Sequence, residues 1–322
     1  MTSAHFTVTR AGPLVTVQDI GRAGLMRYGV PASGPMDRMA YCIANLALGN
    51  AHDTPAIEVS RAGLSVQCTQ GQVDFAVAGG SFQVMLDAQL QPPWTTASIK
   101  AGQTLVIRPG RWGSWCYLAF AGQLLSRHWL GSAATHGPSG LGGGMVVAGN
   151  SLQVDDAAVR PNLHGAIPIP VSARPRPQIR VVLGPQNRFF GAGVIRDMLS
   201  NPFTLTDAYD RMGVRLSGPL LPPNAALDMP SEPIVRGSIQ VAGDGVATVL
   251  LADHQTTGGY PKIATVLSDD LDGFVQNRSH NMVRFKEITP QEAILIARSR
   301  DAARKRYLAQ FERSLPKIMC QN

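Results

Sequence analysis

The stretch IEVSRAGLSVQCTQGQVDFAVAGG, residues 57–80, decides the class of fold. Three short runs, IEVS, LSVQC and VDFAV, are rich in β-branched and aliphatic residues and are cut by Gly-containing turns too close together for helices of ordinary length. TLVIR (104–108) and WCYLAF (115–120) extend the series, and FTVTR (6–10) and LVTV (14–17) precede it. This spacing is that of an antiparallel sandwich or barrel. Composition agrees: 33 glycines and 23 prolines punctuate a chain of 322 residues that is 44% hydrophobic, and long helical patterns are scarce.

At this length two domains are expected, because single cores rarely grow past about 250–300 residues. The clearest helix of the first half lies in SGPMDRMAYCIANLALGN (33–50), where Met36, Met39, Ala40, Ile43, Leu46 and Ala47 recur at helical spacing between Gly34-Pro35 and Gly49-Asn50. RPNLHGAIPIPVSARPRPQ (160–178) holds five prolines and almost no periodicity, so it reads as an extended connector. The expected organisation is an N-terminal β-rich domain over 1–160, a connector over 161–178, a small β-barrel domain over 179–290, and a C-terminal helix with a basic tail over 291–322. IRVVL (179–183), a helix around Phe189–Leu199, and the strands SIQV, VATVLL, ATVL and MVRF build the second half. The fold class is therefore mainly β with a few helices, in two barrel-like or sandwich-like halves.

The formal charge of +7 is concentrated at one end: Arg298, Arg300, Arg304, Lys305, Arg306, Arg313 and Lys317 face only Asp301 and Glu312 over residues 298–317. No basic stripe interleaved with aromatics accompanies them, so a solvated helix face is expected and no nucleic-acid or membrane partner. Ala293, Ile294, Ile296 and Ala297 form an apolar patch just before this tail. The first residues, MTSAHFTVTRAG, lack a basic and apolar leader, and no run reaches the roughly 18 apolar residues of a membrane span, so a cytoplasmic protein is expected. Cys42, Cys68, Cys116 and Cys320 form no paired motif and are expected as core thiols. The seven histidines show no metal-ligand spacing, and no metal site is expected; His254 beside Asp253 is a chemical candidate or a surface imidazole.

Three polar clusters stand at strand ends. LADHQTTGGYPKIATV (251–266) follows an apolar run with more donors than a bare turn needs, at Thr256, Thr257, Tyr260 and Lys262. YDRMGVRL (209–216) places Asp210 and Arg211 before a Gly, an arrangement that serves equally as a salt bridge or as a bidentate grip on a ligand oxygen. SEPIVRGSIQV (231–241) is the third. HGPSGLGGG (136–144) matches neither phosphate-binding glycine motif and suits a flexible hairpin as well as a nucleotide cradle.

In order along the chain, TVQDIGRAGLMRYGVPASGPMD (16–37), ANLALGN (44–50), DRMGVRL (210–216), SEPIVRGSIQV and LADHQTTGGYPKIATV closely resemble the biotin-dependent carboxyltransferase family, also called allophanate hydrolase subunit 2, over roughly residues 7 to 290. That family includes the C subunit of bacterial 5-oxoprolinase. The resemblance implies a cyclophilin-like barrel in the second half and two partners, the A and B subunits of that enzyme, the latter of the allophanate hydrolase subunit 1 type. The activity it implies is ATP-dependent opening of 5-oxoproline to glutamate, with ATP and Mg as cofactor. Two alternatives come with it: transfer of a carboxyl group to urea or a related amide from carboxybiotin carried on another polypeptide, and regulation by antagonising a kinase inhibitor that resembles the B subunit. No lysine here has the A-M-K-M context of a biotinyl carrier, so no covalently attached cofactor is expected. The chain departs from the family pattern at Tyr209, where Ser is usual, at Arg236, where Pro is common, and in QNRSHNMVRF (276–285), which lacks the usual Pro-Gly-Asp turn.

Either chemistry must polarise an amide or ureido carbonyl and stabilise developing negative charge. On the family motifs, Asp253, Lys262 and Arg211 are the candidate catalytic residues, Asp253 as base or orienter and the two cations as charge donors. Gln240, Thr256, Thr257, Gly258, Gly259 and Tyr260 are the candidate substrate-binding residues. Gly258 and Gly259 are expected to form a turn with positive φ that brings backbone N–H groups to the substrate.

Overall fold

The computed structural model describes residues 2–224 and 229–314. Lys317 of the expected basic tail and Cys320 of the expected core thiols lie outside them. The short β-branched runs of the first half form two sheets packed face to face. One has seven strands in the spatial order 123–124, 151–155, 3–11, 64–70, 104–108, 83–86, 89–91; the other has six, in the order 165–166, 95–100, 72–78, 115–120, 56–60, 16–18. Phe6, Val66, Phe75, Trp94 and Phe120 fill the space between them and are at most 1% exposed. The proline-rich connector is more structured than its composition suggests. It makes two 3-10 turns, and Gly165–Ala166 adds an edge strand to the second sheet.

Helix α1 (Arg38–Leu46) starts later than Gly34-Pro35: its N-cap is Asp37, whose carboxylate accepts the Ala40 N–H at 2.9 Å. The second half is a closed seven-strand barrel in the order 178–183, 262–266, 238–241, 247–250, 213–217, 203–209, 282–287, sealed by a parallel pairing of the first and last strands. Alternation along its strands sends Val214, Leu216, Ile239, Val241 and Val249 into the barrel and Gly213, Arg215, Gln240 and Thr248 outward. Helices α2 (Ala192–Ser200), α3 (Ser268–Val275) and α4 (Pro290–Ser314) complete the chain. The α3 segment, SDDLDGFV, is disguised in the sequence by its three acids and a glycine; Leu271, Phe274 and Val275 are nevertheless buried against the barrel. Cys68 and Cys116 are buried thiols and Cys42, on α1, is half-buried.

Candidate functional site

The polar loop begins where the strand Ala247–Leu250 ends. The Leu251 N–H donates to Met212 O at 2.9 Å and the Asp253 N–H to Arg211 O at 2.8 Å, so backbone bonds lash the loop to the DRMG turn. That turn is closed by Asp210, whose carboxylate accepts the Met212 and Gly213 N–H groups. Farther on, Thr257–Gly258 pairs antiparallel with Glu232–Pro233, and the Ile234 N–H donates to Thr256 O at 3.0 Å. Two motifs that are separate in sequence are thus strand partners. Neither Gly258 nor Gly259 has a positive φ, contrary to the expected turn. Position 258 is tight: a Cβ there would stand 2.7 Å from Ile234 Cδ1 and 2.9 Å from Gln240 Nε2, two side-chain ends that would have to move aside.

Behind the loop, Arg211 is buried at the junction of the two halves. Its Nε and one Nη hold Asp253 in a bidentate pair at 2.9 and 3.0 Å, the other Nη meets Glu58, and Gly34 O accepts at 2.7 Å. Asp253 also accepts the Gly137 N–H at 3.0 Å, from the glycine-rich stretch. Glu58 accepts from the Met36 N–H and the Tyr117 hydroxyl, each at 2.7 Å. Burial opposes ionisation of Asp253, but Arg211 outweighs it and holds the carboxyl below its ordinary range. Burial also pulls down the Arg211 guanidinium, and the charges of Asp253 and Glu58 outweigh that and hold it above its ordinary range. Both arrangements left open for Arg211 therefore reduce to one: its fork grips carboxylates of this chain. Sequence reasoning missed Glu58, though an acid inside the fully buried strand AIEVS is the signal that an interior cation must meet it.

Beside this cluster Asp37 is fully buried, and burial, reinforced by Asp272, pushes its carboxyl up to about 7, against hydrogen bonds from the Ala40 N–H and Gln276. Gln276 also accepts from the Ser114 and Trp115 N–H groups, so it stitches α3's end to the first half. Arg236, one of the departures from the family pattern, reaches the carbonyls of Pro35 and Met36; burial, then Arg38, lowers its guanidinium to about 10. Tyr209, another departure, donates to Val275 O and receives the Trp115 indole N–H at 3.3 Å. His254 is buried and its Nδ1 lies 2.6 Å from Gln255 O, so it is not a surface imidazole.

Lys262 is 1% exposed. Its backbone N–H donates to Gln186 Oε1 at 2.9 Å, while its Nζ has no hydrogen-bond partner among the described residues and stands 3.8 Å from Glu232 Oε2. Burial lowers its pKa, and Glu232 counters only in part. Glu232 itself is bound by the Gln186 side chain.

An open groove of about 520 Å³ runs along the outer face of the barrel. Its floor is Gly213, Thr248 and Leu250, one wall is the hairpin at Tyr209–Met212, and the other is Gln240, Gln255 and Tyr260. Gln255 Nε2 donates to Gln240 Oε1 at 3.2 Å, and Gln240 Nε2 to Tyr260 O at 3.3 Å, leaving the half-exposed Tyr260 phenol at the rim. The structure therefore divides the expected site. Gln240 and Tyr260 line the groove; Thr256, Thr257, Gly258 and Gly259 flank it without lining it; Arg211, Asp253 and Lys262 are buried and line none of it.

The glycine-rich stretch does not form a phosphate cradle. The N–H groups of His136, Gly137, Gly140, Leu141, Gly143 and Gly144 are all committed to acceptors within the chain, including Leu141 O, Asp253, His136 O and Ala133 O. No cluster of three or more His, Cys, Asp or Glu side chains that could hold a metal occurs among the described residues.

The sequence profile of the carboxyltransferase domain, subdomain A and B, matches residues 28–287. The chain belongs to that family. It is 34% identical to the C subunit of the 5-oxoprolinase of Haemophilus influenzae over 304 residues, 92% of this chain and 94% of that one. It is 28% identical to the urea amidolyase of Saccharomyces cerevisiae over 92% of its own length but only 17% of that protein. Among solved structures it superposes on TTHA0988 with a TM-score of 0.78 at 33% identity, covering 88% of this chain and 55% of that one. In family terms, the profile encloses the Arg211 cluster, both paired motifs and the groove, and stops short of α4.

Proposed function

We propose that this chain is the C subunit of an ATP-dependent 5-oxoprolinase, working with the A and B subunits to open 5-oxoproline to glutamate. The observation that carries the reading is the end-to-end likeness to the C subunit of a 5-oxoprolinase, 94% of whose length is covered at 34% identity. In this reading ATP is bound elsewhere in the assembly. The lactam sits in the outer groove, where Gln240 and Gln255 offer an amide donor and acceptor to a substrate amide, and the Tyr260 phenol closes the rim. Arg211 and Asp253 are positioning residues: their bidentate pair and the Asp253-to-Arg211 backbone bond hold the loop wall in place. Lys262 adds a poorly solvated positive charge beneath that wall, where it favours charge developing on a carbonyl oxygen.

The test is reconstitution with the partner subunits and measurement of glutamate formed from 5-oxoproline with ATP. The chain alone is expected to be inactive and the complex active. Gln240→Leu is expected to lower turnover by about ten- to a hundredfold with an unchanged melt. A complex that forms but opens no 5-oxoproline would rule the reading out. Carboxyl transfer is the second reading, favoured by the family profile and by the urea amidolyase likeness. Transfer of labelled carboxylate from a carboxybiotinyl carrier to urea in the presence of this chain would establish it instead.

A further inference from the structure

Away from the groove, α1 and the second half of α4 frame a cleft of about 660 Å³. Its apolar surface includes Ile20, Met39 and Leu46, and Ile20 is 58% exposed. Its charged lining is entirely cationic: Arg38, Arg304 and Lys305 stand in it and, among the described residues, no carboxylate does. Arg304 and Lys305 share the one carboxylate of Asp301, at 3.0 and 2.7 Å, and Arg38 lies 3.7 Å from Asp272, so cations outnumber their acids there. The cleft is also fixed in place, because Tyr307 on α4 donates to Pro168 O at 2.7 Å and Leu308 packs on the first core.

We infer that this cleft docks an acidic, apolar segment of a partner protein of the assembly, carboxylates on the cationic rim and aliphatic side chains on the Ile20–Met39–Leu46 floor. Charge complementarity selects this occupant. The chain's own residues 315–322 supply Lys317 and no carboxylate side chain, and would set cation against cation. A second copy would bring the same basic cleft and the same basic helix. The inference rests on the multi-subunit reading above, and adds to it the face on which the partner sits.

The experiment measures binding of the full chain to the co-expressed, purified B subunit by calorimetry and size exclusion, in low and high salt. Three variants are compared with wild type: Arg304→Glu with Lys305→Glu, Ile20→Asp, and Ile294→Asp, a 53% exposed residue of α4 outside the cleft. The first two are expected to weaken binding about tenfold or more, and the wild-type affinity to fall with salt. Ile294→Asp is expected to bind within about twofold of wild type, since it lies outside the contact. Melting curves check that each variant is folded. Equal binding by all variants overturns the docking face while leaving the multi-subunit reading intact. Failure of the wild-type chain to bind the B subunit overturns both. Self-association of the wild type that the cleft variants abolish makes the occupant a second copy and overturns the inference.

Discussion

At the scale of single residues, Lys262 is the sharpest case of a side chain held against its own solvation. An ammonium that is 1% exposed, 3.8 Å from a shared carboxylate, has given up water without gaining a full ion pair. Lys262→Met keeps the stem and removes the charge, so it is expected to stabilise the chain by about 1–3 kcal/mol at neutral pH while lowering turnover of the assembly. The pH dependence carries a definite sign. Because the folded pKa of Lys262 lies below its unfolded value, the unfolded chain binds the extra proton between the two, and stability rises with pH across that window. Denaturant titrations of wild type and Lys262→Met over the alkaline range should therefore converge as pH rises to the ordinary lysine pKa; a constant gap would show that Nζ is solvated.

At the scale of elements, the pairing of Thr257–Gly258 with Glu232–Pro233 is what turns two motifs into one wall. Gly258→Ala would push the side-chain ends of Ile234 and Gln240 aside, so it should cost about 1 kcal/mol and disturb the groove-lining Gln240 amide together with activity. A variant melting like wild type would show that the strand pair yields. Helix α4 shows how local sequence sets an end. Thr289 and Glu292 form a capping box around Pro290: the Thr289 N–H and hydroxyl donate to Glu292 at 2.7 and 3.0 Å, and the Glu292 N–H donates back at 3.2 Å. Thr289→Ala should lower protection of the first turns of α4 in hydrogen exchange by about 1 kcal/mol and leave the barrel amides unchanged. The apolar patch that the sequence places on this helix is only partly covered by the described residues: Ala293 and Ile296 are half-buried, whereas Ala297 is exposed and Ile294 is 53% exposed.

At the scale of the whole molecule, Arg211, Asp253 and Glu58 join the barrel to the sandwich, and with them Gln276 and Tyr117 make a continuous polar seam across the junction. Arg211→Ala leaves two buried carboxylates without their cation and is expected to cost about 3–5 kcal/mol, so unfolding should precede any clean kinetic effect. Equal melting of variant and wild type would show that the seam does not bear on stability. The sequence by itself determined the β-rich class, because short apolar and β-branched runs such as VDFAV and WCYLAF, closely bounded by turn residues, commit to strands locally, and it determined α1, α4 and the polar strand ends. It also singled out LADHQTTGGYPK and DRMG, whose residues prove to be neighbours. Only the tertiary structure decided that Glu58, some 150 positions away in the chain, ends on the Arg211 fork, that Gly258 has no positive φ and packs closely on Ile234 and Gln240, and that Lys262 is sealed beneath the loop while Gln240 and Tyr260 face the groove. The reason is physical: periodicity reports what one segment does with its own neighbours, whereas a buried charge is matched, and a cleft is walled, by whatever distant segment the closing of the barrel brings against it.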